Sequence, residues 1–412
     1  MNDYAKMLPA LLSGDALVDA LKDIPEYDAS VTGQDTAVRL MKLSDIYKIY
    51  LPSQMTVEIY NKLYMATVMS LQKKGTKLAV RQQNITFHAI QGNGYRGIIG
   101  GSDSFTVIGT SGIGKSSAIE RAISLISGNG ILETAQPYSR IIPCMVVQCP
   151  YDCSPKGMLL EILRIVDMNL GTTYYQKSQR AGVTTDLLIG TVAQVSLNHI
   201  GLLIIDEIQH VAGHKNGRTL VGMLTQLINC SGISVCMVGV PESIPFFEQA
   251  MQLARRSVGL KYGALPYDGY FRKFVGLLFQ YQYVKNRTEL SDGILEWLYE
   301  HSGGIISIVV SLVHDAQEIA IFSGREILDV EALNEAYVKR LALLHDFVSP
   351  SVRRNQKLPQ KKSKPVEIAS KEGIKVSSDY LSIPEVVQKA KNQSVDVVSL
   401  LRDYVSVTEV SI

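Results

Sequence analysis

Gly109-Thr110-Ser111-Gly112-Ile113-Gly114-Lys115-Ser116-Ser117 follows an apolar run at residues 105–108 and precedes a stretch of helical character. A glycine-rich loop in that position exposes successive backbone N–H groups to phosphates and aims the positive end of the next helix at them. Gly109, Gly112 and Gly114 leave room for that close approach. Lys115 is placed to reach the β and γ phosphates as a point charge, and the Ser116 hydroxyl is of the type that coordinates magnesium. The residues from Gly109 to Ser117 are therefore expected to bind ATP with Mg2+.

Working outward, Leu202-Leu203-Ile204-Ile205-Asp206-Glu207 is the second informative stretch. Asp206, at the end of an apolar strand, suits the magnesium shell, and Glu207 beside it suits polarisation of an attacking water. An acidic pair after a strand can also simply cap a helix, but with the phosphate loop upstream the catalytic reading takes precedence. Asp-Glu rather than Asp alone favours ATPases with an additional strand over small GTPases. Further apolar runs at residues 142–147 and 234–238 join those at 105–108 and 201–205, separated by helical stretches. This alternation predicts an α/β fold, a parallel sheet flanked by helices. The adjacent Arg255 and Arg256 follow a helical stretch after the fourth run and are candidates for a finger reaching a neighbouring subunit's nucleotide.

The 412 residues, 46% of them hydrophobic, exceed what one ordinary core needs. We expect a helical N-terminal attachment over 1–98, the nucleotide-binding α/β domain over 99–285, a helical lid over 286–350, and a basic linker with a C-terminal docking element over 351–412. In the first part Val57, Tyr60, Leu63, Tyr64, Ala66, Thr67 and Leu71 recur at helical spacing, which suits packing on the main domain or docking of a partner. In the lid, helices are expected at 291–301, 304–322 and 330–344, with Ser291 and Asp329 as N-caps. A net charge of +2 excludes a general polycation, so any DNA surface must be local. Five cysteines without paired two-residue spacing read as reduced structural thiols rather than a zinc site. No apolar run approaches the roughly 20 residues that cross a bilayer, and a cytoplasmic protein without membrane contact is expected.

The order of phosphate loop, Asp-Glu strand, fourth strand ending Val238-Gly239-Val240-Pro241-Glu242, paired arginines, and a lid with Gly303-Gly304 resembles the AAA+ ATPases. Within them the chain is similar to the transposition regulators of the TnsC/TniB family, on residues 106–117, 202–210 and 233–241. The resemblance implies an ATPase that forms a homo-oligomeric ring or filament on double-stranded DNA. It implies that a target-selector protein signals to it and that it recruits the transposase and its nuclease partner, with residues 380–412 docking that machinery. By position in the family pattern, DNA contacts would fall on Thr172, Thr173, Lys177 and Arg180, and on His214, Lys215 and Asn216. Two positions depart from the pattern: Val240 stands where a threonine is common, and Ile305-Ile306-Ser307-Ile308 replaces an arginine after the double glycine. Both point to slow hydrolysis, with ATP mainly holding an assembly. A P-loop signalling switch without DNA and a helicase-loader-like replication ATPase are the alternative readings.

Overall fold

The computed structural model describes residues 4–74, 104–128, 130–135, 138–179, 183–211, 213–244 and 259–341. Within the unit Met1–Asn355, strands β1 (Phe105–Gly109), β2 (Leu132–Ala135), β3 (Tyr138–Gln148), β4 (Ile200–Asp206), β5 (Ser234–Gly239) and β6 (Leu260–Tyr262) form one six-stranded sheet in the order β2-β3-β4-β5-β1-β6. All neighbours are parallel except β2 and β3. The four apolar runs of the sequence are β1, β3, β4 and β5. The two strands that periodicity does not reveal are short edges, Leu-Glu-Thr-Ala and Leu-Lys-Tyr, whose charged residues suit an exposed sheet margin.

β5 lies between β1 and β4, with Ile204 of β4 opposite Cys236 and Phe105 of β1 opposite the same residue from the other side. This is the additional strand that the Asp-Glu pair predicts. It sets the ends of β1 and β4 two strand spacings apart, about 10 Å, which leaves a phosphate-sized gap between loop and acidic pair.

Both sheet faces are covered. On one side α1 (Gly14–Leu21), α3 (Gln54–Lys74) and α4 (Lys115–Ser127) bury Leu17, Ile59, Leu63, Ala118 and Ile126 against Val107, Leu202 and Val238. The buried stripe of α3 includes Tyr60, Leu63, Ala66, Thr67 and Leu71 as expected, with Val57 and Tyr64 at its half-buried margin. On the other side α5 (Pro155–Leu170), α7 (Thr185–His199) and α8 (Gly217–Ser231) pack over Met145, Leu203 and Val235. The short α6 (Tyr174–Ser178) lies between α5 and α7. All five cysteines are free and buried, and burial pushes the Cys144 and Cys149 thiols up to about 12. They are structural thiols, as their spacing suggests.

A third core lies beyond the sheet. It joins α9 (Gly269–Leu278), α10 (Asp292–Ser302), α11 (Ile306–Phe322) and α12 (Val330–Arg340) with α2 (Thr36–Leu43) and Ile46, Ile49 and Leu51 from the N-terminal side. The caps are those expected: Ser291 accepts from the Ile294 N–H at 3.3 Å and Asp329 from the Ala332 N–H at 2.9 Å. Arg39, 2% exposed, forks onto both carboxylate oxygens of Glu326 at 2.7 Å and also donates to the Tyr283 carbonyl. Among the described residues no helix is long and apolar enough to cross a membrane. Residues 351–412, expected as a basic linker and docking element, lie outside the described residues.

Candidate nucleotide site

The turn from β1 to α4 holds Gly112 at φ +79° and Gly114 at φ +92°, left-handed conformations that glycine adopts without steric cost. Gly112 meets a second demand: a Cβ there would lie 2.2 Å from Ser307 Oγ, at the start of α11. The Ser307 N–H donates to the Gly112 carbonyl at 3.0 Å, so lid and phosphate loop touch directly. Lys115, 9% exposed, opens α4 and donates to the carbonyls of Gly109 at 2.6 Å and Thr110 at 2.9 Å. Burial holds its ammonium below the usual lysine value, opposed by the carboxylates of Asp206, Glu207 and Glu242.

Across the gap, Ser116 Oγ donates to Asp206 Oδ2 at 3.3 Å, while Asp206 Oδ1 accepts the Glu207 N–H at 2.8 Å. Glu207 is one of the few non-glycine residues with a left-handed backbone, at φ +57°. That conformation costs about 1–2 kcal/mol and turns the chain sharply out of β4. Gln209 donates its side-chain amide back to Glu207 Oε2. The hydroxyl and carboxylate of Ser116 and Asp206 are a donor set that fits magnesium shared with nucleotide phosphates. No group of three or more His, Cys, Asp or Glu side chains that could hold a metal alone occurs among the described residues.

These groups line a cavity of about 670 Å³, within the size range of small-molecule sites. Ile49, Tyr50 and Leu51 form a wall from the N-terminal side, and Ile306, Ser307, Val310 and Ser311 another from the lid. Tyr50 is held by paired backbone hydrogen bonds with Asp23, and the Arg121 guanidinium lies 4.4 Å over its ring while bonding Asp23 at 2.8 Å. The first wall and Gln209 are not evident from motif spacing, whereas the second wall begins just after the Gly303-Gly304 pair. The apolar run Ile49-Tyr50-Leu51 just before a proline is the only sequence signal that could have drawn attention to the first wall.

The expected DNA contacts fall in two places. Thr172 commits its hydroxyl proton to Asp167 Oδ1 at 2.5 Å, and it lines a separate cavity with Arg140 and His199, by the starts of β3 and β4. Thr173 and Lys177 are exposed close by. Lys215 is exposed beyond the other end of β4, in a turn whose Asn216 side chain donates to the Asp152 carbonyl at 3.1 Å. The length of β4, seven residues at about 3.3 Å each, separates the two groups. His214 precedes Lys215 and accepts the Asn216 N–H at 3.2 Å. Arg180, Arg255 and Arg256 lie outside the described residues.

None of the curated proteins matches the chain. Among solved structures, it is similar to the Aeropyrum pernix ORC1 protein in complex with DNA at 16% identity and a TM-score of 0.41, over 65% of each chain. It is also similar to Drosophila ORC bound to DNA at 11% identity and a TM-score of 0.45, over 98% of this chain and 84% of that one. Domain III of the Thermotoga maritima replication initiation protein DnaA is similar at 16% identity and a TM-score of 0.32, over 67% of this chain and 94% of that one. Residues 101–261, which run from just before β1 into β6, match the family model described as the bacterial TniB protein. Over that segment the chain is similar to the bacterial TniB protein, with β5 set between the phosphate-loop strand and the Asp-Glu strand.

Proposed function

We propose that the protein is a cytoplasmic, ATP-dependent regulator of DNA transposition that oligomerises on double-stranded target DNA and links target selection to transposase recruitment. The observation that carries this reading is one cavity holding Lys115, Ser116, Asp206 and Glu207 inside a segment similar to TniB. In it Lys115 and the backbone from Gly109 to Ser117 bind the nucleotide phosphates. Ser116 and Asp206 hold Mg2+, which when bound neutralises charge on the phosphates. Glu207 takes the proton of the attacking water, with turnover slow. Arg255 or Arg256 of a neighbouring subunit supplies positive charge to the same phosphates.

DNA is held at its phosphates through Lys215 and its turn and through Thr173, Lys177 and Arg180, with Thr172 holding the Asp167 turn beside them. Binding is then steeply salt-dependent and nearly indifferent to sequence. Residues 380–412 dock the transposase or its nuclease partner, with the basic stretch before them setting the reach.

Electron microscopy and gel filtration with a non-hydrolysable ATP analogue, with and without duplex DNA, test the reading. Assemblies that need both are expected. Assemblies of equal size without duplex would instead support a nucleotide switch acting on protein partners.

A further inference from the structure

The charged side chains that line the nucleotide cavity are engaged by the protein itself, with one exception. Lys115 is held by two carbonyls of its loop, Asp206 takes a hydrogen bond from Ser116, and Glu207 takes one from Gln209. Toward the N-terminal wall, Lys48 pairs with Asp45 at 2.7 Å and Arg121 with Asp23 at 2.8 Å. Glu120 lines the same cavity, is exposed, and has no hydrogen bond or ion pair with any described residue. Its place follows from the helix that carries it. α4 buries Ala118, Ile119, Ala122 and Ile126 in the core over the sheet, which leaves Ser116, Ser117, Glu120 and Arg121 on the face toward the cavity. Ser116 and Glu120, four residues apart, are neighbours on that face. Glu120 lies five residues past Lys115, about 7.5 Å along the axis. Arg121 marks where the face meets the apolar wall, with its guanidinium 4.4 Å from the centre of the Tyr50 ring. Glu120 therefore stands between the phosphate loop and the wall of Ile49, Tyr50 and Leu51.

A carboxylate in that position has the wrong charge for a phosphate and gains nothing from an apolar ring. It is an acceptor with two oxygens. The donors that a nucleotide carries between its phosphates and its base are the two adjacent ribose hydroxyls. We infer that Glu120 binds the ribose, accepting hydrogen bonds from the 2′- and 3′-hydroxyls, and that it thereby selects ribonucleotides over deoxyribonucleotides. With the phosphates at Lys115 and the base between the apolar walls, the sugar lies alongside the part of α4 that bears Glu120. Hydrogen bonds to an ionised acceptor are the stronger kind, and here they offset the repulsion between the carboxylate and the phosphates. A deoxynucleotide meets the same repulsion with one bond fewer. This inference rests on the proposed binding of ATP in this cavity.

The test is calorimetric titration of the full chain with Mg2+ and nucleoside diphosphates, which are not consumed: ADP, 2′-deoxy-ADP, 3′-deoxy-ADP and inosine diphosphate. Wild type is compared with Glu120→Ala, Glu120→Gln and Lys115→Ala. Wild type is expected to bind ADP roughly 10-fold more tightly than either deoxy form. Glu120→Ala should bind ADP no better than the deoxy forms, and should bind the deoxy forms no more weakly than wild type does. Glu120→Gln, which keeps length and one acceptor oxygen, should fall between the two and guards against a folding defect in the alanine variant. Equal binding of ADP and both deoxy forms by wild type overturns the proposal, as does a sugar preference that survives in Glu120→Ala. Equal weakening of every nucleotide in both Glu120 variants would mark a structural role and also overturns it. A change in the ratio of ADP to inosine diphosphate with the sugar preference intact would place the carboxylate on the base instead. If Lys115→Ala binds ADP as wild type does, the nucleotide site itself is misassigned and the proposal falls with it. If Lys115→Ala loses ADP while the Glu120 variants keep the sugar preference, only the role of Glu120 is lost.

Discussion

Lys115 directs its ammonium at two backbone carbonyls of its own loop, 2.6 and 2.9 Å away. It is thereby positioned before any phosphate arrives. Lys115→Ala removes the loop's one cationic side chain, and ATP affinity should fall roughly 100-fold, the worth of one to two hydrogen bonds to charge. Titration with a fluorescent ATP analogue measures this. Glu207→Gln keeps size and polarity but cannot take a proton. It should bind ATP as wild type does, with phosphate release slower on the order of 100-fold or more. Wild-type release by that variant would remove Glu207 from the chemistry. At this scale the loop and the acidic pair were legible because each is a local motif whose spacing carries its chemistry. Gln209 was not, because its contact with Glu207 depends on a left-handed turn that the letters Asp-Glu-Ile-Gln do not announce. Nor was the meeting of Gly112 with Ser307, which only the folded lid brings about.

Among elements, the join between the phosphate loop and α11 makes the sharpest demand. Gly112→Ala places a Cβ into Ser307 Oγ and forces a left-handed backbone on alanine. A stability loss of about 1–2 kcal/mol from the backbone alone is expected, with weaker ATP binding. Adding Ser307→Ala should recover part of it, as read by urea midpoints. A second prediction concerns the two ends of β4. Lys215→Ala and the pair Thr172→Ala with Thr173→Ala alter surfaces a strand length apart, so their effects on duplex affinity should add. Thr172→Ala should also loosen the Asp167 turn, since its hydroxyl proton is already used there. Fluorescence anisotropy at two salt concentrations tests both, and equal affinity for wild type and Lys215→Ala would clear that turn of DNA contact. Four strands and three lid helices were legible from continuous apolar runs, caps and glycine breaks. β2 and β6 were not, since a three- or four-residue edge strand has too few buried positions to show a period.

For the whole molecule, the buried pair of Arg39 and Glu326 ties residues before the sheet to the lid after it. The guanidinium holds the Glu326 carboxyl below its ordinary value. A depressed carboxylate contributes stability above its unfolded value and loses it as pH falls through the folded one. Arg39→Ala should therefore cost about 3 kcal/mol near neutrality, as expected for breaking a buried ion pair. The gap from wild type should close as pH drops below about 4. Denaturant titrations across that range measure it, and a gap independent of pH would assign the loss to packing. The same tie explains why sequence periodicity could not tell which core the N-terminal residues join. Leu17 and Leu63 go to the sheet while Leu43 and Ile46 go to the lid core, and partners so distant in sequence leave no local mark.

That division has a mechanical corollary for the cavity. Ile49 and Leu51 share a core with Ile308, Val310 and Leu312 of α11, so its two apolar walls are parts of a single jaw that faces a phosphate-bearing jaw on the sheet. Small catches bridge the jaws, among them the Ser307 N–H on the Gly112 carbonyl and the Arg121 guanidinium, on Asp23 and over the Tyr50 ring. The first is one hydrogen bond and the second an exposed ion pair with a ring contact, each contact worth about 1 kcal/mol or less. Parting the jaws for nucleotide exchange would release these contacts and leave the Lys115 cradle whole on the sheet side.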